Sequence, residues 1–258
     1  MYHKKIYVLN PSQSKRLIAK GIVTEPRITQ ALNEGKIFVG RGTTNSYVLE
    51  ELFKAAEIDV KFNKGDYVAG IVDSEGNKCK WSVNKGPLYP EILIDKGKKV
   101  EVKDRVSEVK KFGRNDIILK GANALDINDV PGVLIRAGDG GTIGSMFPTI
   151  MLKGLTVICP IGLEKVIQED IIELSLIMGV DDVIDGAGII PMPFAESFTE
   201  VEALEILFDC EVYHVASGGV RSAAGSVSLL VGTETDEEFT KIDEFMKNII
   251  EEPDFVPN

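Results

Sequence analysis

The chain has 258 residues, 44% of them hydrophobic and 27% charged, a balance that lets it bury a substantial core. Its formal net charge is −11, and no basic stripe is present to neutralise phosphates, so a general nucleic-acid binder is excluded. No apolar run reaches the ~18 residues of a membrane helix and no secretory leader is read, so a cytoplasmic protein without a membrane partner is expected.

Cys79, Cys159 and Cys210 are scattered and form no C-x-x-C pair, so no metal site and no cofactor are expected. Cys159 sits in an apolar run and reads as buried. His214 reads as a core or sheet-face residue.

In chain order, Ile6–Leu9 reads as a strand. Asn10 then serves as an N-cap with Pro11 at the first helical position, and Gly21 is the expected stop. A second helix is expected from Glu25 to Asn33. Residues 36–39 form a strand that runs into Gly40-Arg41-Gly42-Thr43-Thr44-Asn45 and then into a helix with Val48, Leu49, Leu52, Phe53 and Ala56 as its apolar stripe. Residues 58–112 read as a lysine-rich excursion from the main sheet, with a hairpin of Asp66–Val72 and Lys80–Val83 around the turn Asp73–Asn77.

Alternation then resumes. Strands are expected at 116–121, 132–137 and 155–160, the last a continuous apolar run suited to a central parallel strand. A helix is expected from Leu163 to Met178. After residue 190, Thr199 and Glu202 form a capping box ahead of a helix. Strands at 211–216 and 226–231 and a helix from Glu237 to Ile250 follow.

The fold class expected is α/β. An open, mostly parallel sheet with helices on both faces would occupy residues 1–190, with a small α+β module, ferredoxin-like, over 191–258.

The second glycine-rich stretch, Gly138-Asp139-Gly140-Gly141-Thr142-Ile143-Gly144, also lies between a strand and a helix. Glycines at such a turn let backbone amides converge where the helix N-terminus adds positive charge, which is the geometry of an anion site. The alternative for each loop is a tight turn and nothing more. Neither loop is a P-loop, and Asn45 stands where a dinucleotide fingerprint has its third glycine.

The anion-binding candidates are Gly40, Arg41, Gly42, Thr43, Thr44, Asn45, Asn123, Gly140, Gly141 and Thr142. Asp126, Asp129 and Asp139 are at expected strand ends, where a base for proton abstraction belongs. Asp139 is the sharpest of the three, with Asp-Gly turn chemistry as the other reading. Lys120 is either the partner of an anion or developing enolate, or an exposed strand-end lysine. Arg41 is either a carboxylate or phosphate clamp or a solvent-facing side chain. Arg221 would reach the cleft only if the C-terminal module covers it.

The order of these pieces resembles the superfamily of ribose-5-phosphate isomerase, glucosamine-6-phosphate deaminase and CoA transferases. The G-x-G-T-[GT] loop of that family is matched by Gly40–Thr44. Its Asp-Gly-Ala-Asp-Glu segment is matched by Lys120-Gly121-Ala122-Asn123-Ala124-Leu125-Asp126. Gly141-Thr142-Ile143 is similar to the G-T-I segment of the related lactate-utilisation domain. The resemblance covers about residues 36–167 without 58–112. It implies ligand binding at strand-end loops and sugar-phosphate isomerisation or a related proton transfer.

The chain departs from that pattern at the chemistry. Ser145-Met146-Phe147 carries no carboxylate where the isomerases have a general-base glutamate, Asn123 replaces an aspartate, and no CoA-transferase glutamate stands out. The expected function is binding of a small phosphorylated or carboxylated metabolite, with isomerase-like catalysis or a non-catalytic sensor as the two outcomes. A homo-oligomer stays open.

Overall fold

The computed structural model describes residues 2–75, 78–83, 89–179 and 186–257. The chain opens with β1 (His3–Leu9), α1 (Pro11–Ile22), α2 (Pro26–Glu34), β2 (Lys36–Val39) and α3 (Thr43–Ala55). The Asn10 side chain accepts from the Ser12 and Gln13 amides while Gln13 reaches back to the Asn10 amide, a reciprocal cap that starts α1 where Pro11 allows it. The hairpin β3 (Gly70–Glu75) and β4 (Lys78–Val83) comes next. Gly76 and Asn77 of its expected turn lie outside the described residues.

β5 (Glu91–Asp95), β6 (Lys98–Val102), α4 (Arg105–Val109) and β7 (Ile117–Leu119) follow, then β8 (Ala124–Leu125), β9 (Pro131–Ile135), α5 (Gly141–Lys153) and β10 (Thr156–Pro160). The chain continues through α6 (Ile171–Ile177), β11 (Gly188–Pro191), β12 (Glu196–Phe198), α7 (Glu200–Leu207), β13 (Glu211–Gly218), β14 (Ser226–Thr233) and α8 (Asp236–Ile250).

A mixed six-stranded sheet, order β12-β10-β7-β2-β5-β6, is the backbone of this α/β fold. β12, β10, β7 and β2 run parallel, while β5 and β6 are antiparallel additions beyond β2. The expected excursion is therefore smaller than 58–112, because β5 and β6 extend the main sheet. Their connection is a two-residue turn in which Lys96 and Gly97 both have positive φ (48° and 73°), the twist a tight hairpin needs.

Side-chain alternation splits the core into two layers. Ile37, Val39, Ile117 and Leu119 face α1 and α3, while Phe38, Ile118, Val157 and Cys159 pack with Ile143, Met146 and Ile150 of α5. Helices thus cover both faces. β1, β14 and β13 form a separate antiparallel sheet whose inner residues Leu9, Val227, Leu229 and Val231 join the α1/α3 layer. Two pairings cross the expected division at residue 190: β1 pairs with β14 along its full length, and β12 joins the main sheet.

Two expected elements differ. Residues 132–137 do not enter the parallel sheet; β9 pairs antiparallel with β8 and β11 in a small sheet of its own. The helix expected over 163–178 is a short 3-10 turn, Leu163–Lys165, followed by α6. The Ile167 amide donates to Leu125 O, which takes the chain out of helical pairing, and Asp170 then starts a new helix by accepting from the Ile172 and Glu173 amides.

Candidate functional site

The carboxyl ends of β2, β7, β10 and β12 share one edge of the sheet, and the antiparallel β5 begins at that edge opposite the end of β2. The chain leaves β2 into α3 on one face, and after the neighbouring β7 it reaches α5 on the other, so the β2/β7 gap is the crevice position where ligands of open α/β sheets sit. Alternation continues one residue past the strands. Glu91, Gly40 and Lys120 therefore follow one another across neighbouring strands on the α5 face.

Gly40 is the gap that makes this row possible. A Cβ at Gly40 would lie 3.0 Å from Lys120 Cδ and 3.8 Å from Thr142 Cγ2. The first loop, Lys120 and the start of α5 thus meet at one point.

Lys120 is 9% exposed, and its Nζ donates to Gly121 O at 2.7 Å. Burial lowers its pKa from the ordinary lysine range to about 8; the nearby Lys165 pushes the same way and Glu91 opposes it. The Cys159 thiol, beside Lys120 on the next strand, is pushed up to about 12 by burial, so it is an un-ionised core group near neutrality.

Glu91 is 4% exposed and fully engaged. Its Oε1 accepts from Thr142 Oγ1 at 2.9 Å and its Oε2 from Arg105 Nε at 2.7 Å, with an Arg41 guanidinium nitrogen 3.8 Å away. A carboxylate at the first turn of α5 also meets the helix dipole favourably. The anion at the second loop is the protein's own Glu91, so Thr142 serves an internal partner there. Arg41 likewise donates to Tyr89 O at 3.0 Å and is neither a free clamp nor a solvent-facing side chain.

In the first loop two backbone donors are likewise committed internally. The Gly40 amide donates to Leu119 O and the Gly42 amide to Tyr67 O, so neither is offered to a ligand. Asn45 Nδ2 donates to Gly40 O at 2.8 Å and to Leu119 O at 3.2 Å, tying the ends of β2 and β7 together from the first turn of α3. Tyr67 closes the β2/β5 side: its hydroxyl donates to Val39 O and accepts from the Ile92 amide.

Several expected site residues are structural. Asp126 Oδ1 accepts from the Asn128 and Val130 amides and Oδ2 from the Ile171 amide, so this carboxylate staples the β8–β9 turn to the start of α6. Asn123 Oδ1 accepts from the Leu134 amide at the start of the same small sheet. Asp129 takes the Ser197 hydroxyl. Asp139 is exposed and accepts from the Gly141 amide, the turn role weighed for it. Gly140 and Gly141 have φ of 72° and 64°, and Gly144 packs so tightly that a Cβ there would meet Asp139 O at 2.8 Å. Arg221 lies in a 3-10 turn between β13 and β14, with φ 56°.

Sequence reasoning missed Glu91, Arg105 and a second charged cluster at the same edge. Lys15 of α1, Glu164 after β10 and Glu200 at the start of α7 come together there: Lys15 Nζ is 3.6 Å from Glu164 Oε1, and Glu200 Oε2 accepts from the Leu163 amide at 3.0 Å. Burial lowers the Lys15 pKa. Burial, with the neighbouring Glu164 carboxylate, holds Glu200 up to about 7. Lys165, whose Nζ donates to Ala122 O at 2.9 Å, acts electrostatically on both Lys15 and Lys120 and so connects the two clusters.

Buried polar atoms without a hydrogen-bond partner also gather here. Arg41 Nε, Thr44 Oγ1, Asn45 Oδ1, Glu164 Oε2 and Glu200 Oε1 belong to this set. Such atoms are uncommon inside proteins and mark places where a partner is missing. A surface cavity of about 470 Å³ lies at the other end of α3, lined by Phe53, Asp59 and Phe62 among others. The Arg16 guanidinium on its wall is already held by Glu50, Glu51 and Glu252. Among the described residues no three His, Cys, Asp or Glu side chains are grouped to hold a metal, and no helix is long and apolar enough to cross a membrane.

Comparison with family models, with curated proteins and with solved structures finds no match to this chain.

Proposed function

We propose that the carboxyl edge of the sheet binds a small phosphorylated or carboxylated metabolite, with Lys120 as its principal cation and as the group that moves or stabilises a proton on it. The observation that carries this reading is a buried lysine at a crevice of the sheet, facing a glycine, whose Nζ donates to the neighbouring Gly121 carbonyl and is paired with no carboxylate among the described residues. An amine whose pKa is about 8 is divided between its charged and neutral forms near neutrality, which suits acid–base work. Lys165 adds a second positive charge.

Four parallel strands with helices on both faces support the resemblance to the isomerase and CoA-transferase superfamily. A ligand sensor on the same fold is the second reading. It is favoured by Ser145–Phe147, which bring no carboxylate to the first turns of α5.

The test is a thermal-shift series with inorganic phosphate, sugar phosphates, nucleotides and acyl-CoA compounds on the wild type and on Lys120→Met. A ligand at about 100 times its Kd stabilises the native state by about 2.7 kcal/mol. A shift for the wild type that Lys120→Met lacks supports the reading. Equal shifts for both proteins, or none for any compound, overturn it.

A further inference from the structure

The sheet of β1, β14 and β13 has two faces of different character. Leu9, Val212, Val227, Leu229 and Val231 point inward, where α1, α7 and α8 all pack, the last through Ile242, Met246 and Ile249. Alternation sends the remaining residues outward in rows. Ile6, Leu230 and Tyr213 are paired neighbours across the three strands, and Val8, Ser228 and Ala216 form the next row. Ile6 is 57% exposed, and Val8 and Tyr213 are each 54% exposed. An antiparallel sheet with one face in water ordinarily places polar residues there.

A third row carries charge. Lys4 and Glu211 flank Gly232, where a Cβ would lie 2.5 Å from the Tyr2 hydroxyl oxygen. The Tyr2 ring therefore crosses this row, with its hydroxyl donating to Glu211 Oε2 at 2.6 Å and with Lys4 Nζ 4.9 Å from the ring centroid. Glu211 also accepts from the Tyr213 hydroxyl. Among the described residues neither Lys4 nor Glu211 has an ion-pair partner.

We infer that this outer face is where two copies of the chain pack, sheet on sheet, about a twofold axis that runs along β14. Such an axis lays β1 of one copy over β13 of the other and keeps each row in step. Ile6 then meets Tyr213 of the second copy, Leu230 meets its own counterpart, and Lys4 meets the second copy's Glu211. Symmetry makes the Lys4–Glu211 pair twice, so every one of these ions gains the partner it lacks within its own chain. A twofold across the strands would set Lys4 and Glu211 against Val8 and Ala216, leaving both charges desolvated and unpaired. Surface area agrees with a second copy. The chain exposes 13342 Å², whereas a monomer of 28.2 kDa is expected to expose about 11,200 Å². The surplus of about 2,100 Å² exceeds the ~800 Å² that each partner buries in a standard interface.

Sedimentation velocity of the full chain over a dilution series tests this. The wild type should be a dimer at about 100 μM, where a Kd of ~10 μM leaves most chains paired. Ile6→Glu changes a residue already exposed in the single chain and should raise Kd at least about tenfold, because the dimer would bury unpaired carboxylates. Lys4→Glu and Glu211→Lys should each weaken self-association about tenfold, because like charges then face each other at both symmetric positions. An equimolar mixture of these two variants should dimerise within about threefold of the wild-type Kd, since both crossed pairs are again opposite in charge. Rescue by mixing reports contact between chains and owes nothing to the folding of either variant. A wild type that is monomeric at about 100 μM overturns the inference. So does a dimer that Ile6→Glu leaves intact, the result expected if the open edge of β13 pairs instead. A mixture that associates no more tightly than either variant alone overturns the twofold along β14.

Discussion

The two glycine-rich loops look alike in sequence and behave differently in the fold. Residues 40–45 are packed into the crevice, with the Gly40 and Gly42 amides committed to Leu119 O and Tyr67 O and with Thr44 and Asn45 buried. Residues 138–144 lie toward the surface, hold their shape through the Asp139–Gly141 turn, and reach the site only through Thr142. Glycine in the first loop leaves space for another residue's side chain. Glycine in the second meets backbone geometry, at the positive φ of Gly140 and Gly141. A Gly-rich signature therefore does not by itself identify an anion nest, because the sheet or an internal carboxylate can take up the same donors.

The largest effect is expected at the lysine that the first loop accommodates. The folded-state pKa of Lys120 is lowered, so the fold favours the neutral amine. The native state is penalised in full below about pH 8, and the penalty is relieved as pH rises from about 8 toward the unfolded value of 10.5. Lys120→Met should therefore stabilise the protein at pH 7 by up to about 3 kcal/mol while removing ligand binding. Urea denaturation between pH 7 and 10 checks it: the wild type should gain stability across that range relative to the variant. Parallel pH profiles would mean that the amine is not strained in the fold.

Next is Gly40→Val. The added atoms meet Lys120 Cδ and Thr142, and overpacking of this kind costs about 1–3 kcal/mol. Denaturation midpoints measure it, and an unchanged midpoint would show that the row Glu91, Gly40, Lys120 is loosely packed. Asp126→Asn should cost about 2 kcal/mol, because an amide nitrogen placed against the Ile171 amide leaves buried donors facing each other. Phosphate affinity should stay at the wild-type level in that variant, and a large loss of affinity would return Asp126 to the site. The smallest effect belongs to the second loop. Gly138→Ala adds a methyl to open space and should change stability by no more than about 0.5 kcal/mol. A cost comparable to that of Gly40→Val would erase the contrast between the loops.

Local chemistry was legible where it acts over a few residues. Asn10 and Pro11 start α1, Thr199 and Glu202 start α7 as a capping box, and the apolar run ending at Pro160 is a parallel strand, all as their residue types imply. Lys120 was legible as a strand-end candidate, although its burial was not. Glu91 and Arg105 were hidden because they belong to a stretch rich in lysine, read as an excursion; the Lys96-Gly97 pair was the available signal that a hairpin returns there. The Leu163–Met178 pattern was misleading because one long-range bond, from the Ile167 amide to Leu125 O, outweighs helical periodicity.

By itself, the sequence determined the α/β alternation, most helix starts and the parallel strands β2, β7 and β10, because these depend on side-chain type and short spacing. Only the tertiary structure decided which donors stay available and which carboxylates meet which lysines. Glu91 comes to Lys120 through an antiparallel pairing, β1 joins β14 from the far end of the chain, and Lys15, Glu164 and Glu200 converge from three separate elements. Hydrogen-bond partners and burial are properties of neighbours in space, and spacing along the chain does not encode them for residues that come from separate elements.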